Sequence, residues 1–206
     1  MKNLFLFFDI ETNGLPKSYK ASPEDLDNWP RITQLAFRLV EADINVLDGK
    51  LTACQTHAEF CELIKPTDWE IPKEKFWIDN GYSTEKSMED GIDIKDALQA
   101  FIHARLAAKY AVAHNINFDA PIIRSELIRH DLSVEFTAKK ICTMMSSTKY
   151  CGLFSDKSSK FKRPKLEELH MKLFNSNFEG AHDALADIQA TERCFFELVN
   201  RNVITL

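Results

Sequence analysis

Leu4-Phe5-Leu6-Phe7-Phe8-Asp9-Ile10-Glu11-Thr12-Asn13-Gly14-Leu15 carries five apolar residues straight into two carboxylates. A run with no polar alternation reads as a strand, over 4–9, covered on both faces. Side chains two apart on a strand point the same way, so Asp9 and Glu11 project together at the end of a dry element. Like charges there repel, and loss of water makes ionising either one costlier. A shared proton or bound cations relieve that cost, and paired hard oxygen donors suit Mg²⁺ or Mn²⁺. The competing reading is a solvated turn leading to Asn13-Gly14.

Outward from this strand, residues 33–40 place Leu35, Phe37 and Leu39 at alternate positions and suit a second strand. Residues 59–64 suit a third, with Asp48-Gly49 as a hairpin or loop between them. Residues 67–90 read as irregular, with a short helix near 74–78. Over 94–108, Ile94, Ala97, Leu98, Phe101, Ile102 and Leu106 recur at helical spacing. A short strand at 110–114 leads through a polar turn at Asn115–Asn117 to a helix from about Ala120 to His130. Pro121 fits the first turn of that helix, where a missing N–H costs nothing. Helices at 166–174 and 182–200 follow. Strands that give way to helices alternating with a further strand predict an α/β domain. A chain of 206 residues with no repeat and no linker predicts one domain over 1–206.

The five cysteines form no C-x-x-C pair and are odd in number, which fits a reducing, cytoplasmic setting better than a disulfide framework. The first apolar run is too short for a signal peptide, and no stretch has the length of a membrane span, so no membrane partner is expected. Net charge is −5, whereas nucleic-acid binders are often basic. Carboxylates that hold metal can still bind a phosphodiester through the metal, and positive surface need only be local. Lys157, Lys160, Lys162, Arg163 and Lys165 supply one such place, in a serine-containing stretch that reads as a loop.

Two further groups are chemical candidates. Asp119 follows the strand at 110–114 and lies near a helix start, where dipole and capping effects alone also favour an acid. Asp183 and Asp187 share a helix face just after His182, and spacing alone does not choose between them as a ligand. Cys54, His57 and Cys61 place three potential zinc ligands close together, but a structural zinc site needs four protein ligands.

Together these groups resemble the DEDDh family of 3′→5′ exonucleases, the family of the proofreading epsilon subunit of bacterial DNA polymerase III. Asp9 to Leu15 is similar to D-x-E-T-x-G-L, His114 to Asp119 to H-N-x-x-F-D, and His182 to Asp187 to H-x-x-x-x-D. A tyrosine branch would place Tyr at position 183, which is Asp, so the histidine branch is the better match. The resemblance implies a ribonuclease H-like fold with a mixed, roughly five-stranded central sheet flanked by helices. It implies two divalent ions, Mg²⁺ or Mn²⁺, held by Asp9, Glu11, Asp119 and Asp187, with His182 as general base. Asp183 is then a bystander that helps to start the helix. Thr12 and Leu15 are expected to contact the terminal nucleotide, and Asn115 and Phe118 to shape the pocket floor. Asn80 stands where many relatives carry a substrate-side His, which puts that one contact in doubt.

The function this implies is release of nucleoside monophosphates from single-stranded or frayed DNA 3′ ends, in proofreading or repair, with a DNA polymerase as a possible partner. The rivals are 3′→5′ trimming of short RNA and a non-catalytic polymerase accessory subunit.

Overall fold

The computed structural model describes residues 2–45, 49–132, 135, 137–155, 158–180 and 183–206. The opening run is β1 (Lys2–Thr12), longer than the 4–9 expected, so both acids belong to the strand itself. β2 (Ile32–Ile44) pairs antiparallel with β1, and β3 (Leu51–Leu63) pairs antiparallel with β2. Helices α1 (Lys75–Asp79), α2 (Thr84–Asp90) and α3 (Ile94–Ala107) follow. The chain then re-enters on the other side of β1 as β4 (Tyr110–Ala113), parallel to it. Through α4 (Ile116–Arg129) it reaches β5 (Lys139–Cys142), parallel to β4. The order β3-β2-β1-β4-β5 puts β1 at the centre of a mixed five-stranded sheet. Then come α5 (Thr143–Cys151), a hairpin of β6 (Phe154–Ser155) and β7 (Ser158–Phe161), α6 (Leu166–Phe174) and α7 (Ala184–Asn200).

The dry character of β1 follows from cover on both faces. Leu6, Phe8 and Ile10 join a core with Leu98 and Phe101 of α3 and with Ile122 and Leu127 of α4. Phe5 and Phe7 join a second core with Leu169 and Leu173 of α6 and with Phe195 and Leu198 of α7. Phe195 packs its ring 5.4 Å from Phe5 and 5.5 Å from Phe7, and Phe101 lies 5.4 Å from Phe8 on the opposite side.

Several expectations need correction. β3 begins at Leu51 rather than near residue 59; it is an edge strand, so most of its first half is exposed and polar. Asp48 of the expected hairpin lies outside the described residues, as does Lys157 of the basic stretch. That basic stretch is not a plain loop: β6 and β7 pair, and Phe154 and Phe161 pack 4.9 Å apart. α4 starts at Ile116, directly after the turn, so Pro121 lies within the helix and not in its first turn. On α3 the buried stripe runs to Arg105, only 4% exposed, while Leu106 points outward at 58%. Arg105 lies four residues from Phe101 and three from Ile102, whereas Leu106 is one helical step off the stripe.

Candidate metal centre

β1 has its last β4 partner at Phe7, paired with Val112, while β2 stays paired opposite Asp9 and Glu11. The two acids therefore lie where the sheet opens on one side. This is the carboxyl end of neighbouring parallel strands, where α/β sheets form their crevices. Asp9 and Glu11 continue the Phe5–Phe7 row, which faces α7. Asp187 projects from the first turn of α7 on the same face as buried Ala184 and Thr191. One carboxylate oxygen each from Asp9, Glu11 and Asp187 lies within 4.8 Å of the others. Asp119 comes from the start of α4, is only 2% exposed, and accepts backbone N–H bonds from Ile10 and from its own amide.

These acids are held far from their ordinary state. Burial first, then the charges of Asp119, Glu11 and Asp187, push Asp9 well above the usual carboxylate range. Burial, with Asp187 and Asp119 nearby, pushes Glu11 up to about 8. Burial pushes Asp119 up to about 7, against the two backbone bonds that favour its charged form. Divalent cations suit such a set, because they neutralise the repulsion and take hard oxygen donors. The donor set thus fits the group that the acids led us to expect.

His182 lies outside the described residues. Asp183 accepts the Ala186 N–H at 3.0 Å and caps α7, which is the helix-starting role expected of it. Thr12 donates its hydroxyl to the Gly14 carbonyl at 2.7 Å, leaving its oxygen as an acceptor. Leu15 projects into solvent at 74% exposure. Asn115 is half-buried at the head of α4, and half-buried Phe118 packs 6.5 Å from Tyr19. Asn80 donates its side-chain amide to the Phe76 carbonyl at 2.8 Å and closes α1. The Cys54–Cys61 group diverges: His57 turns to Glu41 at 3.5 Å, while Cys61 accepts from Gln34 at 3.3 Å. His114 accepts from the Thr143 hydroxyl and donates Nε2–H to the Pro164 carbonyl, at 3.0 and 3.1 Å. Because a carbonyl only accepts, this second bond fixes the neutral tautomer, and burial pushes the ring down to about 4.

Two side chains near the cluster escaped the sequence reading. Tyr82 is buried beside Glu11 and donates its hydroxyl to Gln34 Oε1 at 2.7 Å; burial and the charge of Glu11 keep the phenol protonated. The same oxygen accepts the Ala184 N–H at 3.4 Å, and Gln34 sits opposite Glu11 in the sheet. Trp77 donates its indole N–H to the Thr12 carbonyl at 3.1 Å, pinning α1 to the end of β1. The only signal in the sequence was that Tyr82 lies in the irregular stretch at 67–90, two residues after Asn80.

The family model RNase_T, described as exonuclease, matches residues 6–195. No curated relative matches the chain. Solved structures of exonuclease I resemble it. The Escherichia coli enzyme in complex with a dT13 oligonucleotide is 19% identical, with a TM-score of 0.63 over 95% of this chain and 41% of that one. The zinc-bound E. coli complex with single-stranded DNA is 19% identical, with a TM-score of 0.68 over 97% and 41%. The enzyme of Methylocaldum szegediense is also 19% identical, with a TM-score of 0.67 over 97% and 41%. The chain thus spans about two-fifths of these structures' length. At this identity the likeness carries the fold, an α/β, ribonuclease H-like domain with a mixed sheet flanked by helices.

Proposed function

The chain belongs to the RNase_T exonuclease family, and from that premise we propose that it is a metal-dependent 3′→5′ exonuclease acting on single-stranded or frayed DNA ends. The observation that carries this reading is the convergence of Asp9, Glu11 and Asp187 at the open end of β1, with buried Asp119 against them. Asp9, Glu11, Asp119 and Asp187 would hold two divalent ions, Mg²⁺ or Mn²⁺. Bound there, such ions supply the positive charge that stabilises the attacking and leaving oxygens of an in-line displacement. His182 takes the proton from the attacking water as its oxygen bonds to the terminal phosphorus. The bond from phosphorus to the 3′ oxygen of the penultimate nucleotide breaks, and a nucleoside monophosphate leaves. Thr12 and Leu15 engage the terminal nucleotide, the first through its free oxygen lone pairs and the second by an exposed apolar face. Asn115 and Phe118 shape the floor.

The 3′→5′ polarity rests on the resemblance of the three acidic motifs to those of the DEDDh 3′→5′ exonucleases. The preference for DNA rests on the oligodeoxynucleotides bound by the exonuclease I structures. Proofreading or repair is the proposed setting, with a polymerase as partner. All five cysteines are free thiols, which supports a cytoplasmic location. No helix among the described residues is long and apolar enough to cross a membrane.

End-labelled DNA and RNA oligonucleotides, digested with Mg²⁺ or Mn²⁺, test the reading. Mononucleotides should leave the 3′ end of DNA, and excess EDTA should stop release. Asp9→Ala, Asp119→Asn and Asp187→Asn should nearly abolish cleavage without unfolding the chain. His182→Ala should cost about 10²–10⁴ in rate. Full activity in these variants or in EDTA would sink the mechanism. Preference for short RNA would point to the exoribonuclease rival, and polymerase binding without cleavage to an accessory role.

A further inference from the structure

We propose that a basic cavity behind the acid cluster, between α3, α4 and β5, is a nucleotide-binding site. The cavity has a volume of about 970 Å³, at the upper end of ligand-sized pockets. It opens on the sheet face of Phe8, whereas Asp9 and Glu11 face the other way, towards α7. Four cations line it: Arg105, Arg124, Lys140 and Arg163. Among the described residues that line it, Glu135 is the only acid. In a chain of net charge −5 this is a local reversal of sign, and such a concave positive wall concentrates anions.

The cations are set at two depths. Arg105 lies at the base, 4% exposed, on the buried stripe of α3, with a guanidinium N–H donating to the Ala138 carbonyl at 3.1 Å. Lys140 and Arg163 are exposed at the rim. Between them the wall is apolar, with Phe101, Ile116 and Ile123. Phosphates against guanidinium and ammonium groups, with bases against apolar and aromatic side chains, is the combination that single-stranded nucleic acid and free nucleotides share.

The position links this cavity to the acids. Asn115 lines it and stands four residues before Asp119. Tyr19 also lines it and packs against Phe118. A strand whose 3′ end lies at the acids would pass Tyr19 and Phe118 and enter here. The occupant is therefore either the upstream nucleotides of that strand or a free mononucleotide. Only the first source rests on the nuclease reading.

Binding measured without catalysis separates the two questions. Fluorescence anisotropy of a 5′-labelled oligothymidylate in EDTA compares the unmodified chain with Lys140→Glu/Arg163→Glu, and calorimetry repeats the comparison with dTMP. The double variant should bind the oligonucleotide at least about tenfold more weakly. Its plot of log K against log salt should be shallower by about 1.4, for two phosphate contacts on a single strand. Oligonucleotide binding without dTMP binding identifies the strand as occupant, and dTMP binding that the variant loses identifies a free nucleotide. Equal affinities and equal slopes for both probes overturn the proposal, and so does failure of the unmodified chain to bind either. Arg124→Gln repeats the comparison if the double variant unfolds at a lower temperature. Cleavage with Mn²⁺ is scored separately: intact binding without cleavage removes the nuclease reading and leaves the cavity.

Discussion

A buried amide oxygen that accepts from donors on two segments ties them together. Gln34 Oε1 does this for Tyr82 and for Ala184, the first residue of α7. Asp187 rides on that helix, so the bond to Tyr82 helps to set where the third acid meets Asp9 and Glu11. Tyr82→Phe keeps the ring and deletes the 2.7 Å bond, leaving the oxygen with the 3.4 Å contact alone. We expect a loss of about 1 kcal/mol, rising towards about 3 if the oxygen stays dry, read as a lower urea midpoint at unchanged slope. Cleavage should fall along with it. An unchanged midpoint would mean that Tyr82 is there for packing. The acids themselves were legible, because two of them share one strand face and the others sit beside helix starts. Tyr82 was not, since 48 residues separate it from Gln34 and only the folded sheet brings them together.

At the scale of elements, legibility followed cover. β1, β2, α3, α6 and α7 each bury an apolar row or stripe that the sequence displays. β3 and β5 form the two edges of the sheet, so Thr52–His57 and Lys139-Lys140 need no apolar alternation to be strands. α2 buries little beyond Ser87, which hides it from periodicity. Its placement against β3 turns instead on Gly91. A Cβ there would lie 2.4 Å from the Ser87 carbonyl oxygen and 2.9 Å from that of Leu63, both backbone atoms. Gly91→Ala should therefore cost about 1–3 kcal/mol, as overpacking does. Gly14→Ala, with nothing within 4 Å of the added carbon, should stay within about 0.5 kcal/mol. Equal thermal midpoints for the two variants would refute the close approach of α2 to the sheet.

For the whole molecule, the two cores share β1, so charge in its acid row is felt in global stability. Two opposed proton linkages act. His114 is held neutral, with a folded pKa of about 4 below its unfolded value, so its contribution is present above about pH 6.5 and is lost as pH falls towards 4. Asp9, Asp119 and Glu11 have raised folded values, about 7 for Asp119 and about 8 for Glu11. Their contribution is full below the unfolded carboxylate range and is lost as pH rises through the folded values. Below about pH 6.5 the two trends oppose, while above it only the acids titrate between these limits. The metal-free protein should therefore lose thermal stability from about pH 6.5 to about pH 8.5. Asp9→Asn should flatten that fall by removing one of the repelling charges. Mg²⁺ or Mn²⁺ at about a hundredfold over its Kd should restore about 2.7 kcal/mol at the alkaline end, a rise of roughly 5–10 °C in Tm. At about pH 5 Glu11 and Asp119 are protonated, and the same ions should do little. Calorimetric scans in EDTA and with added metal across this range read all three effects. A midpoint that rises with pH in EDTA, or a metal effect as large at pH 5 as at pH 8.5, would show that the acids of β1 are not the groups that bind the ion.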